Sequence, residues 1–188
     1  MAETKPLVFR KLRADEIECR IGTIKQDGTG LSLLLYKDAR CDMNILDETV
    51  GAMNWKREHG RDNANCTVSL YCEDKKEWVS KEDVGTESNT EKEKGLASDS
   101  FKRACVNWGI GRELYTAPFI WVQSENANIV ERKFNGSSKW VCNDKFYVEK
   151  ITYTTNGNID GLSIINQKNG KRVFVQKPME KEINNGRN

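Results

Sequence analysis

The chain has 188 residues, with 30 Lys and Arg against 28 Asp and Glu, one His and three Pro. That length suits one domain of ordinary size with a real core, and a net charge of +2 excludes a polybasic, tail-type nucleic-acid binder. No apolar run approaches the roughly 18 residues of a membrane span, and the start MAETKPLVFRKLRADE lacks the apolar stretch of a signal peptide. The expectation is a soluble, cytoplasmic protein with no membrane partner. Charge is nevertheless uneven along the chain. Residues 126–188 carry 11 basic and 6 acidic side chains, while residues 61–125 carry 9 and 12.

Taken in order, residues 9–18 have Leu12 and Ile17 spaced for a short amphipathic helix. Residues 19–24 and 31–36 are β-prone runs joined by Asp27-Gly28-Thr29-Gly30, a hairpin signal. Asp38 is placed to N-cap a helix through Val50, with Met43, Leu46 and Val50 on its inner face and Gly51 ending it. Residues 55–59, 64–72 and 77–84 alternate as three antiparallel strands, and Asp74-Lys75-Lys76 makes a tight turn. Gly85 closes that sheet.

After a polar linker at 86–90, residues 91–108 form the clearest helix. Ala97, Phe101, Ala104, Cys105 and Trp108 make one apolar stripe, opposite Lys92, Asp99, Lys102 and Arg103. Residues 119–123 read as a short strand and 124–144, rich in Asn, Ser and Lys, as a loop. Residues 146–155, 162–167 and 171–176 read as a meander with turns at Asn156-Gly157-Asn158 and Lys168-Asn169-Gly170. The expected fold class is α+β: an antiparallel β-sheet (β-β-β-α core) packed on a long helix, with an N-terminal helix/hairpin and a C-terminal β meander.

Most enzyme chemistries lack their residues. The six cysteines (19, 41, 66, 72, 105, 142) form no C-x-x-C pair, and with one His a zinc site would need scattered thiolates. There is no phosphate-binding P-loop, and Gly109-Ile110-Gly111-Arg112 follows a helix where a dinucleotide loop must follow a strand. Glu82 and Asp83, with Glu87, are the only carboxylates suggestive of a metal-dependent nuclease, and adjacent strand residues point to opposite faces. The reading is a non-enzyme without metal or cofactor. The sequons at Asn65 and Asn135 are chance matches in a reducing compartment.

Three segments carry a resemblance: Trp78-Val79-Ser80-Lys81-Glu82-Asp83-Val84-Gly85; residues 91–104, ending Asp99-Ser100-Phe101-Lys102-Arg103-Ala104; and Asn107-Trp108-Gly109. With the upstream run Tyr36–Glu48, Gly51 and Trp55, they resemble the single-strand annealing domain of the eukaryotic break-repair protein Rad-fifty-two and its phage Sak-type relatives. The resemblance spans roughly residues 10–115 and implies an ATP-independent protein of phage or prophage recombination. Such a protein binds single-stranded DNA and anneals complementary strands as a homo-oligomeric ring or helical filament. A partner exonuclease or host single-strand-binding protein fits that role, in the cytoplasm of a bacterial host. The expected domain organisation is an annealing core over 1–123, a β-rich C-terminal extension of the same domain over 124–178, and a flexible tail over 179–188.

The resemblance also assigns residues. Lys102 and Arg103 match the family's paired DNA-binding cations, Lys94 a basic position earlier in the helix, and Arg40 lies within one position of a groove Arg. Lys92 shares the polar face of that helix. Val106 stands where relatives often have another Arg. Read as plain helix chemistry, Lys102 and Arg103 are instead a solvated face paired with Asp99. Among the five Trp, Trp140 beside Lys139 is the candidate for base stacking. The competing readings are a general nucleic-acid-binding module of the double-stranded-RNA type and the metal-dependent nuclease.

Overall fold

A computed structural model of the chain describes residues 6–86, 92–134 and 136–179. In chain order the elements are β1 (Glu18–Ile24), β2 (Gly30–Tyr36), α1 (Ala39–Val50), β3 (Trp55–Gly60), β4 (Asn65–Cys72), β5 (Glu77–Val84) and α2 (Lys92–Trp108). There follow β6 (Ile120–Gln123), β7 (Ile129–Phe134), β8 (Ser137–Cys142), β9 (Phe146–Tyr153), β10 (Ile159–Asn166) and β11 (Arg172–Gln176). They divide between two compact units. One comprises Met1–Leu12 and Lys37–Arg112, the other Arg13–Tyr36 and Glu113–Asn188.

In the first unit, the Asp38 carboxylate accepts a hydrogen bond from the Cys41 N–H at 2.8 Å and so caps α1. Gly51, at φ +84°, ends it. The buried face of α1 is Cys41, Asp42, Ile45 and Leu46, so Leu46 points inward as expected while Met43 and Val50 are only half-buried. Strands β3, β4 and β5 form an antiparallel sheet in continuous register. Cys66, Val68 and Leu70 alternate along one face of β4 and are buried beneath α2, which packs on β4 and β5.

The second unit is built on a six-stranded antiparallel sheet in the order β11-β10-β9-β1-β2-β6. Its edge strands β6 and β11 lie against each other, giving a nearly closed, barrel-like sheet. Alternate residues Leu31 and Leu33, Ile120 and Val122, Phe146 and Val148, and Leu162 and Ile164 are buried. Near-closure leaves few free backbone donors and acceptors along the edges.

The α+β fold with a long helix as its centrepiece is therefore corrected. Among the described residues strand accounts for 44% and helix for 23%, with two α-helices, so sheet dominates. Residues 9–18 are not a helix. They contain one 3-10 turn, Ala14–Glu16, and Leu12 and Ile17 reach buried positions without helical continuity. A segment that short gains too little from packing to offset helix nucleation. Residues 124–144 are not a loop, because β7 and β8 pair there as a separate antiparallel ribbon. That ribbon is exposed along much of its length, so it lacks the half-buried alternation that marks a strand. Its sequence signal is Asn135-Gly136, a hairpin dipeptide, and Gly136 adopts φ +83°. The polar linker expected at 86–90 and the tail at 179–188 fall largely outside the described residues, as do Glu87 and Asn135. Among the described residues no helix is long and apolar enough to cross a membrane.

Candidate nucleic-acid interface

Helix α2 is held rigidly from below. Phe101, Ala104 and Cys105 are wholly buried, and the Phe101 ring stacks on Trp55 with centroids 6.2 Å apart. Arg57 covers the same ring at 4.8 Å. At the far end the Trp108 indole N–H donates to the Val68 carbonyl at 3.0 Å, and the Lys81 ammonium sits 4.5 Å from the Trp108 ring. Burying each large apolar side chain contributes about 1.5–3 kcal/mol. Gly85 has a role beyond ending β5. A Cβ there would stand 2.6 Å from the Ser100 nitrogen and 2.7 Å from the Leu96 carbonyl oxygen, so only glycine lets the helix come this close.

On this mount Lys102 and Arg103 diverge. The Lys102 ammonium is 4.0 Å from the Asp99 carboxylate, keeps 19% of its side chain exposed and lies near enough to Asp42 of α1 to favour that carboxylate's charged form. Arg103 turns to β5, where its Nε is 3.3 Å from Asp83 Oδ1, and stays 43% exposed. Asn107 braces the same contact, its amide donating to the Glu82 carbonyl at 3.0 Å and to Asp83 Oδ2 at 3.3 Å. Arg40 stands in the first turn of α1, 84% exposed, with Nε 3.2 Å from Asp38 Oδ2. Burial opposes ionisation of Asp38, yet the Cys41 N–H and Arg40 hold its carboxyl below the ordinary value. Lys92 and Lys94 lie on the first turn of α2, with side chains outside the described residues. Val106 is half-buried.

Arg40, Lys102 and Arg103 are thus exposed or partly exposed, and each has a carboxylate beside it. The intended Asp99 pairing is with Lys102 alone; Arg103 has a different partner, invisible in helix spacing because it comes from β5. Glu82 and Asp83 face opposite ways. Glu82 accepts from the Asn65 amide at 2.8 Å and the Thr67 hydroxyl at 3.0 Å, while Asp83 faces α2. That separation disfavours joint metal binding, and among the described residues no His, Cys, Asp and Glu cluster suits a metal. His59 lies beside α2, its Nδ1 3.5 Å from the Ser100 hydroxyl, and burial followed by the Arg57 charge lowers its pKa.

A second set of cations was not singled out as a site in the sequence, where Lys139 was noted only as the neighbour of Trp140. On the β7–β8 ribbon Arg132 lies directly across from Lys139, and Lys133 across from Ser138. All three cations are exposed, and among the described residues none of them forms an ion pair. The basic excess of residues 126–188 was the available signal. Trp140 is half-buried on the same ribbon, its ring lying over Gly28 at the turn between β1 and β2.

Comparison with known proteins returns no match: no family model, no curated protein and no solved structure is similar to this chain.

Proposed function

We propose that the protein binds single-stranded DNA and anneals complementary strands without ATP, working as a homo-oligomeric ring or filament in phage or prophage recombination. The observation that carries this reading is the mount of α2. Phe101 and Trp108 fix a helix on which Lys102 and Arg103 reach the surface in adjacent positions, inside the segment that resembles the annealing family. Lys and Arg contacts to phosphate are independent of sequence and leave base edges free for a second strand, which annealing requires. One such pair binds weakly. Repetition around an assembly raises the effective concentration of contacts, so oligomerisation belongs to the mechanism.

The nuclease alternative is disfavoured by the opposed directions of Glu82 and Asp83. The test is an annealing assay with two labelled complementary strands in the absence of nucleotide. Accelerated pairing by the wild type, lost with Lys102→Ala and Arg103→Ala combined, is the expected result. Strand retention without faster pairing leaves a general nucleic-acid binder and rejects annealing. Magnesium-dependent cleavage abolished by Glu82→Ala rejects it in favour of the nuclease.

A further inference from the structure

Strands β1 and β9 pair only at Glu18 with Tyr147 and Cys19 with Phe146. Continued in the same register, Thr23 would face Cys142 and Lys25 would face Trp140. Instead β1 and β8 splay apart and enclose a cleft of about 800 Å³. Its walls are two consecutive runs, Ile21–Gln26 and Ser138–Asn143, not every second residue, so the cleft lies between strand edges. It is bounded at one end by the β1–β9 pairing and at the other by the Trp140 ring on Gly28. Such a space suits a compact, flat group better than a strand running through.

The lining points to the chemistry. It offers an indole (Trp140), two carboxamides (Gln26 and Asn143), two hydroxyls (Thr23 and Ser138), a thiol (Cys142) and two ammonium groups (Lys25 and Lys139), with no carboxylate. Lys25 is neutralised by Asp27 at 2.8 Å, which leaves Lys139 as the uncompensated cation of the lining, with Arg132 beside it on the ribbon. An aromatic ring with carboxamides accommodates a base, and cations at the rim hold its phosphates. We infer that this cleft is a second contact site for single-stranded DNA: a base enters beside Trp140, and the flanking phosphates lie on Lys139 and Arg132. The inference rests on the reading of the protein as a single-strand binder, and it places DNA on a unit other than the one carrying α2.

The test uses the full chain and an oligothymidylate carrying 5-iododeoxyuridine. After irradiation, crosslinked peptides are mapped by mass spectrometry, and affinity is measured by fluorescence anisotropy. Crosslinking at Trp140 is expected, with affinity reduced roughly five- to a hundredfold by Trp140→Leu. Lys139→Glu should weaken binding and lower the slope of log affinity against log salt by about 0.7 or more. Lys139 is exposed and unpaired among the described residues, so Lys139→Glu carries the test if Trp140→Leu does not fold. Crosslinks confined to α2, with Lys139→Glu binding like wild type, would overturn the cleft and leave the α2 reading intact. No binding by the wild type would reject both.

Discussion

Arg103 Nε stands 3.3 Å from Asp83 Oδ1, linking α2 to β5, and the Arg103 side chain is still 43% exposed. A guanidinium so placed can reach a phosphate only by sharing or leaving its carboxylate. Removing the Asp83 charge therefore separates a binding cation from a structural one. Asp83→Asn should tighten single-stranded DNA binding by about two- to fivefold, the scale of a partly exposed ion pair. Arg103→Ala should weaken it and reduce the salt slope by about 0.7. Anisotropy titrations at several salt concentrations measure both. Wild-type affinity in both variants would assign Arg103 to the α2–β5 contact alone.

Lys37 and Asp42 form an ion pair with only 5% and 0% of their side chains exposed. Asp42 Oδ2 has no hydrogen-bond partner, and burial raises its carboxyl to about 6 against the pull of Lys37. Truncating one partner leaves the other charge buried, so Asp42→Ala should cost about 3–5 kcal/mol in urea unfolding. The pH dependence has a definite sign. The folded pKa lies above the unfolded value of about 4, so the native state binds the proton more tightly. Its contribution to stability is present below pH about 4 and lost as pH rises through about 6. Asp42→Asn should flatten that part of the stability profile, and an unchanged profile would show that Asp42 does not titrate there.

The local chemistry of the first unit was legible because its signals are short-range. Asp38 and Gly51 bound α1 through their own caps, and the alternation of Cys66, Val68 and Leu70 marked one face of β4. In the second unit the β1–β2 hairpin and the β9–β10–β11 meander were legible too, but their union in one sheet was not, because β1 and β9 lie far apart in sequence and meet at two residue pairs. Nothing in residues 18–24 encodes that partner. The β7–β8 ribbon escaped for another reason: Lys133, Ser138 and Lys139 face solvent, so polarity hid a strand that burial would have revealed. At the site, spacing alone paired Lys102 and Arg103 with Asp99, whereas the tertiary fold brings Asp83 to Arg103.

The thiols divide by environment. Burial pushes Cys19 up to about 12 and Cys66 up to about 11, and it raises Cys105 well above its ordinary value. Only the thiolate reacts readily, so iodoacetamide should modify these three slowly in the native protein and quickly in urea. Peptide mass spectrometry resolves them individually. Because the folded pKa values of Cys19 and Cys66 exceed the unfolded value of about 8.5, the stability these two confer is present below that pH and lost as pH rises toward 11–12. Rapid native labelling of Cys105 would show that the space beneath α2 opens easily.

Asp144 closes the base of the β7–β8 ribbon. Its Oδ2 accepts from the Asn128 N–H at 2.8 Å, just before β7, and from the Asn166 amide at 2.8 Å on β10. Asn166 is wholly buried and also donates to the Asn126 carbonyl at 3.0 Å. These bonds tie both ends of the ribbon to one strand of the larger sheet. Asp144→Ala strips the acceptor from one buried donor, the Asn166 amide, and from the part-buried Asn128 N–H; the buried group left unsatisfied costs about 1–3 kcal/mol. The loss should appear as a lower Tm and as faster amide hydrogen exchange across 128–142, while exchange in β4 and α2 stays near wild type. Asn166→Ala should act on the same bonds, so the two substitutions together should cost less than their sum. Additive losses, or exchange that rises equally in both units, would mean that the network does not hold the ribbon.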